Sequence, residues 1–156
     1  MTPWAGRPTE ADWSALVDLV RAAPADEPVV LLAHVYPDAD AIGSALAVGL
    51  ALREQGRSVQ VSFGDDPFVL PRILEFLPGL DLLVPPADVV EEPWLVVTFD
   101  ASSIDRLGLL VPNVKAARHV VAVDHHASYT GFAQHHVVDP AAPATAVLAR
   151  ELVARL

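Results

Sequence analysis

Apolar and polar positions along this chain fall into blocks of two kinds, one with helical spacing and one with short continuous runs. After a loose arm over residues 1–8, Thr9 caps an expected helix over Glu10–Ala23, with Trp13, Leu16, Val17 and Val20 on one face. Pro24 to Pro28 end it, and the apolar run Val29–His34 reads as a buried strand. A long apolar helix is expected over Ala41–Gln55, with Arg53 in its last turn and Gly56 just beyond it. Ser58–Phe63 alternates as a second strand. Pro71–Leu77 reads as a short helix with proline near its first position, and Asp81–Val84 as a short strand. Trp94–Phe99 is a β-branched strand, Ser102–Leu110 a turn or short helix, and Arg118–Val123 another apolar strand. Phe132–Val138 reads as an edge or return strand, and Ala144–Leu156 as a final helix.

Strands alternating with helices predict an α/β fold: a doubly wound, mostly parallel sheet with helices on both faces. The 156 residues fit one domain, and a 53% hydrophobic composition supplies an aliphatic core. A net charge of −10 argues against a duplex-DNA groove binder, which needs a basic surface. It leaves a nucleotide substrate open, because bound divalent cations reverse the local sign. With no cysteine, disulfides, zinc ribbons and thiol catalysis are excluded. The start carries no charged stretch followed by an apolar one, and no apolar run approaches the roughly 18 residues of a membrane span. A cytoplasmic protein without membrane attachment is expected.

The chemistry lies where the strands stop. The first ends at His34, with Asp38 and Asp40 just after it; another ends at Asp100; a third ends at Asp124-His125-His126. In a parallel sheet all carboxyl ends share one edge, so these distant segments meet in one crevice. Four carboxylates together repel and raise one another's pKa unless cations intervene. Mixed carboxylate and imidazole ligation suits Mn, Fe, Co or Zn better than Mg or Ca, and one carboxylate between two cations bridges them.

Taken singly, most of these residues have plainer roles. A lone aspartate at a strand end is usually a turn or cap residue, and Asp40 alone reads as an N-cap for the next helix. His119, His135 and His136 are expected to be structural, Asp65-Asp66 to form a turn, and Asp139-Pro140 a cap or turn before the last helix. Arg106 fits either a phosphate or a salt bridge. Gly43 and Ser44 are expected to let their helix pack close to the sheet, and Ser44 near the helix start to donate to a phosphate.

Three motifs in order, His34-x-x-Pro37-Asp38-x-Asp40-Ala41-Ile42-Gly43-Ser44, Asp100 followed by Ser103-x-Asp105-Arg106-Leu107-Gly108, and Asp124-His125-His126, resemble the DHH phosphoesterase superfamily from about Val29 onward. The wording around Tyr36, and Asp139-Pro140 before a threonine-containing helix, look most like the bacterial oligoribonucleases that also dephosphorylate 3′-phosphoadenosine 5′-phosphate; some close relatives cleave cyclic di-AMP or its linear product. Family II pyrophosphatases and RecJ-type exonucleases share the motifs.

The resemblance implies a two-metal phosphohydrolase with two Mn²⁺ per site, Mg²⁺, Co²⁺ or Zn²⁺ being alternatives. It implies that His34 and Asp38 hold one ion, Asp40 and His125 the other, and Asp100 bridges them. His126 would face the scissile phosphate and Asp124 would support from behind. A bridging water, acidified by both ions, would attack phosphorus in line. The expected partners are small nucleotides or short single-stranded RNA.

Two features depart from the family pattern. The fourth motif, an aspartate on a later segment, has no match after His126, and the chain is expected to lack the second, substrate-binding domain. The expected 144–156 helix stops with Val147, Leu148, Leu152 and Leu156 apolar and no glycine cap, which reads as an incomplete catalytic domain, weak or inactive as it stands. The apolar surface so exposed makes a homodimer the expected association. The competing function is a non-catalytic α/β nucleotide- or metal-binding domain kept for regulation or association.

Overall fold

The computed structural model describes residues 2–156. Five parallel strands form one sheet: β1 (Val29–Ala33), β2 (Val59–Phe63), β3 (Leu95–Phe99), β4 (His119–Asp124) and β5 (His135–Val138), in the order β2-β1-β3-β4-β5. The order reverses between β1 and β3. The chain first steps outward from β1 to β2, then returns to the other side of β1. Such a switch point opens a crevice at the carboxyl ends of the two strands. β1 and β3 are buried at every position, as strands covered on both faces must be.

Helices α1 (Glu10–Ala22), α2 (Ala39–Glu54) and α4 (Thr145–Arg155) share one core with one face of the sheet, through Trp13, Leu16, Ile42, Leu46, Leu148 and Leu152. The short α3 (Val111–Ala116) and the turns before it cover the other face, where Leu107, Leu110 and Val114 meet Val30, Leu32, Val96 and Ala122. Thr9 caps α1 through a reciprocal pair with Asp12. No helix among the described residues is long and apolar enough to cross a membrane.

Several elements differ from the pattern-based reading. Residues 71–77 hold only a 3-10 turn over Arg72–Leu74, because Pro78 and Gly79 stop it from growing. The expected strand at Asp81–Val84 is a 3-10 turn, Leu80–Leu82, followed by a single parallel bridge from Leu83 to Val61, since Pro85 and Pro86 cannot extend a ladder. Ile104–Leu110 is 3-10 helix broken at Gly108, and α3 follows it unforeseen, with proline in its first turn. β5 is an edge strand that runs parallel to β4.

Close backbone approach requires glycine at two places. A Cβ on Gly64 would lie 2.0 Å from the Leu107 carbonyl oxygen, and one on Gly108, at φ +54°, 2.5 Å from that of Gly64. This contact pins the loop after β3 to the loop after β2, and Leu109 N–H donates to the Gly64 carbonyl across it. Gly43, expected to allow tight packing, faces open space. Gly49 is the tight glycine of α2, where a Cβ would meet Leu82 at 3.0 Å.

Candidate active site

The loop after β1 brings the first two donors. His34 is 6% exposed, and its Nδ1–H donates to the Val35 carbonyl at 2.7 Å. That bond fixes the tautomer and leaves the Nε2 lone pair free. Asp38 caps α2, accepting from Ala41 N–H at 2.9 Å, and its Oδ1 also stands 3.7 Å from His34 Nε2. The cap of α2 is therefore Asp38, not Asp40.

Asp100 follows β3 with φ +62°, a left-handed backbone that aspartate tolerates better than most residues. It is 5% exposed, and its two oxygens face in different directions. Oδ2 lies 3.5 Å from His34 Nε2 and Oδ1 3.4 Å from His125 Nε2. Oδ1 also accepts from the buried Thr145 hydroxyl at 2.8 Å.

After β4, His125 Nδ1 is held by the Ala142 carbonyl at 3.2 Å, so its Nε2 faces the site. Asp40 Oδ2 lies 3.8 Å from that nitrogen. Asp40 has a second task. Its Oδ2 accepts from Thr145 N–H at 3.0 Å and its Oδ1 from Ala146 N–H at 2.7 Å. Helix α4 has Ala144 at its own cap position and no side-chain cap there. Asp40 thus caps it from another helix.

His126 belongs to a separate pair. Its Nδ1–H donates at 2.7 Å to Oδ1 of the fully buried Asp124, which also accepts from His125 N–H. Its Nδ1 comes within 3.7 Å of Asp100, but that nitrogen already carries a proton for Asp124 and is not a free ligand. Asp124 Oδ2 is sealed from solvent with no partner among the described residues.

Two groups of donor atoms converge, each within 4.8 Å: His34, Asp38 and Asp100, and Asp100, His125 and His126. Separations of 3.4–3.8 Å between imidazole nitrogens and carboxylate oxygens are too long for good hydrogen bonds. Two ligand atoms each about 2.0–2.2 Å from one ion stand roughly 3–3.5 Å apart, so the spacing suits a shared cation better. Three of the four imidazole and carboxylate pairs lie in a buried or half-buried setting, where unneutralised carboxylates are costly.

Burial works against a proton on His34, but Asp100, the Val35 carbonyl and Asp38 outweigh it and hold its pKa above the usual imidazole range. Burial raises Asp100, yet the adjacent His34 ring, the Thr145 hydroxyl bond and the nearby His126 bring it below the usual carboxylate range. Burial dominates at Asp124 and pushes it up despite the His126 contact.

Of the expected site residues, His34, Asp38, Asp40, Asp100, His125, His126 and Asp124 meet at this edge. Ser44 does not join them. It is 1% exposed with a hydroxyl sealed from solvent, so packing stands between it and any phosphate. His119 packs at a tilt against Trp94, and His136 packs between Trp4 and Tyr129. Arg106 brings Nη2 to 3.4 Å from His34 Nδ1 and pairs with no carboxylate among the described residues. Asp139 makes the turn before α4, accepting from Ala141 N–H at 2.9 Å, without capping the helix. Thr145 was not among the expected residues. Its sequence signal was its place near the start of an expected helix, behind Asp139-Pro140.

The family model for the N-terminal domain of the DHH family matches residues 28–156. The bifunctional oligoribonuclease and PAP phosphatase NrnA of Thermus thermophilus is 33% identical over 126 residues, which cover 81% of this chain and 36% of that protein. The chain thus spans about a third of the length of this relative. In the crystal structure of an exopolyphosphatase-related protein from Bacteroides fragilis, the same fold recurs with a TM-score of 0.83 at 22% identity, over 94% of this chain and 44% of that one.

Proposed function

The chain belongs to the DHH family, and from that premise we propose that it is the N-terminal catalytic domain of a two-metal phosphohydrolase for small nucleotides. Its substrates would be short oligoribonucleotides or 3′-phosphoadenosine 5′-phosphate, with cyclic di-AMP or its linear product as further candidates. The observation that carries this reading is Asp100. One buried carboxylate turns its two oxygens toward two different histidines, His34 and His125, as a bridging ligand must.

The donor set fits divalent cations of the Mn²⁺ type. His34, Asp38 and Asp100 would hold one ion; Asp40, His125 and Asp100 would hold the other. When bound, the pair supplies positive charge that acidifies a water molecule and offsets charge on the phosphoryl oxygens.

The remaining work falls to the protein. The Val35 and Ala142 carbonyls fix the two ligand imidazoles with Nε2 inward. Asp124 accepts from His126 Nδ1–H, which orients the ring and leaves Nε2 as a proton acceptor. Arg106, beside His34 and free of carboxylate partners among the described residues, offers a second positive group to the phosphate.

The test is hydrolysis of a short oligoribonucleotide and of 3′-phosphoadenosine 5′-phosphate with and without Mn²⁺, beside Asp100→Asn. Metal-dependent release of mononucleotide or phosphate that Asp100→Asn abolishes supports the proposal. Turnover that ignores both Mn²⁺ and Asp100 removes it.

One observation favours the non-catalytic reading: both oxygens of Asp40 are engaged by α4 amides. Each carboxylate oxygen has a second lone pair, so capping and ligation are compatible. The hydrolase reading therefore stands ahead.

A further inference from the structure

Val35, Tyr36 and Pro37, the loop between His34 and Asp38, line an open cavity of about 620 Å³. That volume falls in the range of small-molecule sites. Its lining includes Tyr36, Pro37, Val69 and Leu109, together with Asp65 and Asp66. No lysine, arginine or histidine lines it, and its two carboxylates disfavour a phosphate there.

The apolar surface of the protein is concentrated here. Of the six exposed large hydrophobic side chains among the described residues, Tyr36 (83%), Val69 (64%) and Leu109 (55%) line this cavity. Ile73 and Phe76 sit in the segment that leaves it at Pro71. Apolar patches grouped in this way mark binding surfaces, whereas single exposed residues do not.

Tyr36 is held outward by its backbone. Its φ is +53°, a conformation that costs free energy for a bulky residue. Two bonds maintain it: Tyr36 N–H donates to Asp65 Oδ2 at 2.8 Å, and Val35 N–H donates to the Arg106 carbonyl at 2.8 Å. The Gly64–Gly108 contact closes the floor beneath. Tyr36 lies midway between His34 and Asp38 on one loop, so the cavity borders the segment that carries two of the candidate ligands.

We propose that this cavity is a nucleobase subsite: Tyr36 stacks on a neutral planar ring, Leu109 and Val69 pack at its edge, and the Asp65–Asp66 carboxylates accept from its N–H groups. The proposal rests on the hydrolase reading and adds where the base of the substrate sits. A base fits better than a second phosphate because the lining is acidic and apolar. It fits better than a lipid because the carboxylates require N–H donors.

Binding of adenosine 5′-monophosphate and of ribose 5-phosphate, each with Mn²⁺, tests it by calorimetry on the wild-type chain and on Tyr36→Ala and Leu109→Ala. Both side chains are exposed, so both variants keep the fold, and circular dichroism checks this. The expected result is roughly ten-fold tighter binding of the nucleotide than of the sugar phosphate, a typical worth for one stacked base. Tyr36→Ala removes most of that advantage, Leu109→Ala part of it, and Tyr36→Phe keeps it, while ribose 5-phosphate is unaffected throughout. Equal wild-type affinity for the two ligands, or an advantage that survives Tyr36→Ala, overturns the subsite and leaves the hydrolase reading intact. Failure of both ligands to bind in the presence of Mn²⁺ removes the hydrolase reading and the subsite with it. Self-association that Tyr36→Ala abolishes, without any nucleotide advantage, reassigns the patch to contacts between copies and also overturns the proposal.

Discussion

The buried hydroxyl of Thr145 donates to Oδ1 of Asp100 over 2.8 Å, joining the first residue of the last helix to the carboxylate at the centre of the site. The same residue's N–H donates to Asp40. One turn of α4 therefore orients two of the candidate ligands, and one of those ligands caps α4 in return.

Replacing this hydroxyl should loosen the ligand set without unfolding the chain. Thr145→Val keeps the volume and loses the donor. Mn²⁺ affinity is expected to fall about 10–100-fold, the usual cost of losing a group that orients a ligand. Thr145→Ser should recover most of it. Calorimetric titration with Mn²⁺ reads the effect, and unchanged circular dichroism of the metal-free protein separates it from misfolding.

Asp40→Ala should act on α4 directly. Two helix-terminal N–H groups lose their acceptor, and loss of a cap costs about 1–2 kcal/mol. Hydrogen exchange should speed up at Thr145 and Ala146 in the metal-free protein, with a lower urea midpoint. Unchanged exchange at both amides would show that the cap carries no weight.

Much of this arrangement was legible in the chain. His34, Asp100 and Asp124 each follow an apolar run, and parallel strands leave their carboxyl ends on one edge, so the convergence followed from topology alone. What escaped was contact across long sequence separation. Thr145 meets Asp100 over 45 residues and Asp40 over 105, and no local periodicity marks such a pair. The Gly64–Gly108 contact was hidden for the same reason. Asp81–Val84 failed as a strand because an apolar run reports burial, while the prolines beyond it decide backbone pairing. Ser44 misled because a polar residue near a helix start can face the core as readily as a ligand.

The Asp124–His126 pair sets a tautomer. With the carboxylate accepting at 2.7 Å, the proton belongs on Nδ1. Asp124→Asn can present its amide N–H instead and favour the proton on Nε2. Long-range ¹H–¹⁵N correlation of the imidazole should show the switch, and hydrolysis should fall with it. An Nδ1–H signal retained in Asp124→Asn would disconnect the pair.

His136 supplies a pH dependence away from the metal-type cluster. Burial, followed by the charge of His135, holds its pKa below the ordinary value of 6.5, against a smaller opposing effect of Asp12. Its Nδ1 takes part in a 2.7 Å bond with the Tyr129 hydroxyl, which the neutral ring accepts. As pH falls, the unfolded chain takes up this proton first. The stability contribution is therefore present above about pH 6.5 and lost below it. Asn at 136 keeps an acceptor and cannot titrate. The urea midpoint of wild type should drop relative to His136→Asn between pH 7.5 and 5.5, and a constant difference would rule the effect out.

The central claim is that Asp100 joins two cation sites, and electron paramagnetic resonance of the Mn²⁺-titrated chain tests it most directly. Two bound ions per chain with an exchange-coupled spectrum are expected, with the coupling lost in Asp100→Ala. A single uncoupled ion per chain, or a spectrum indifferent to Asp100, would contradict it.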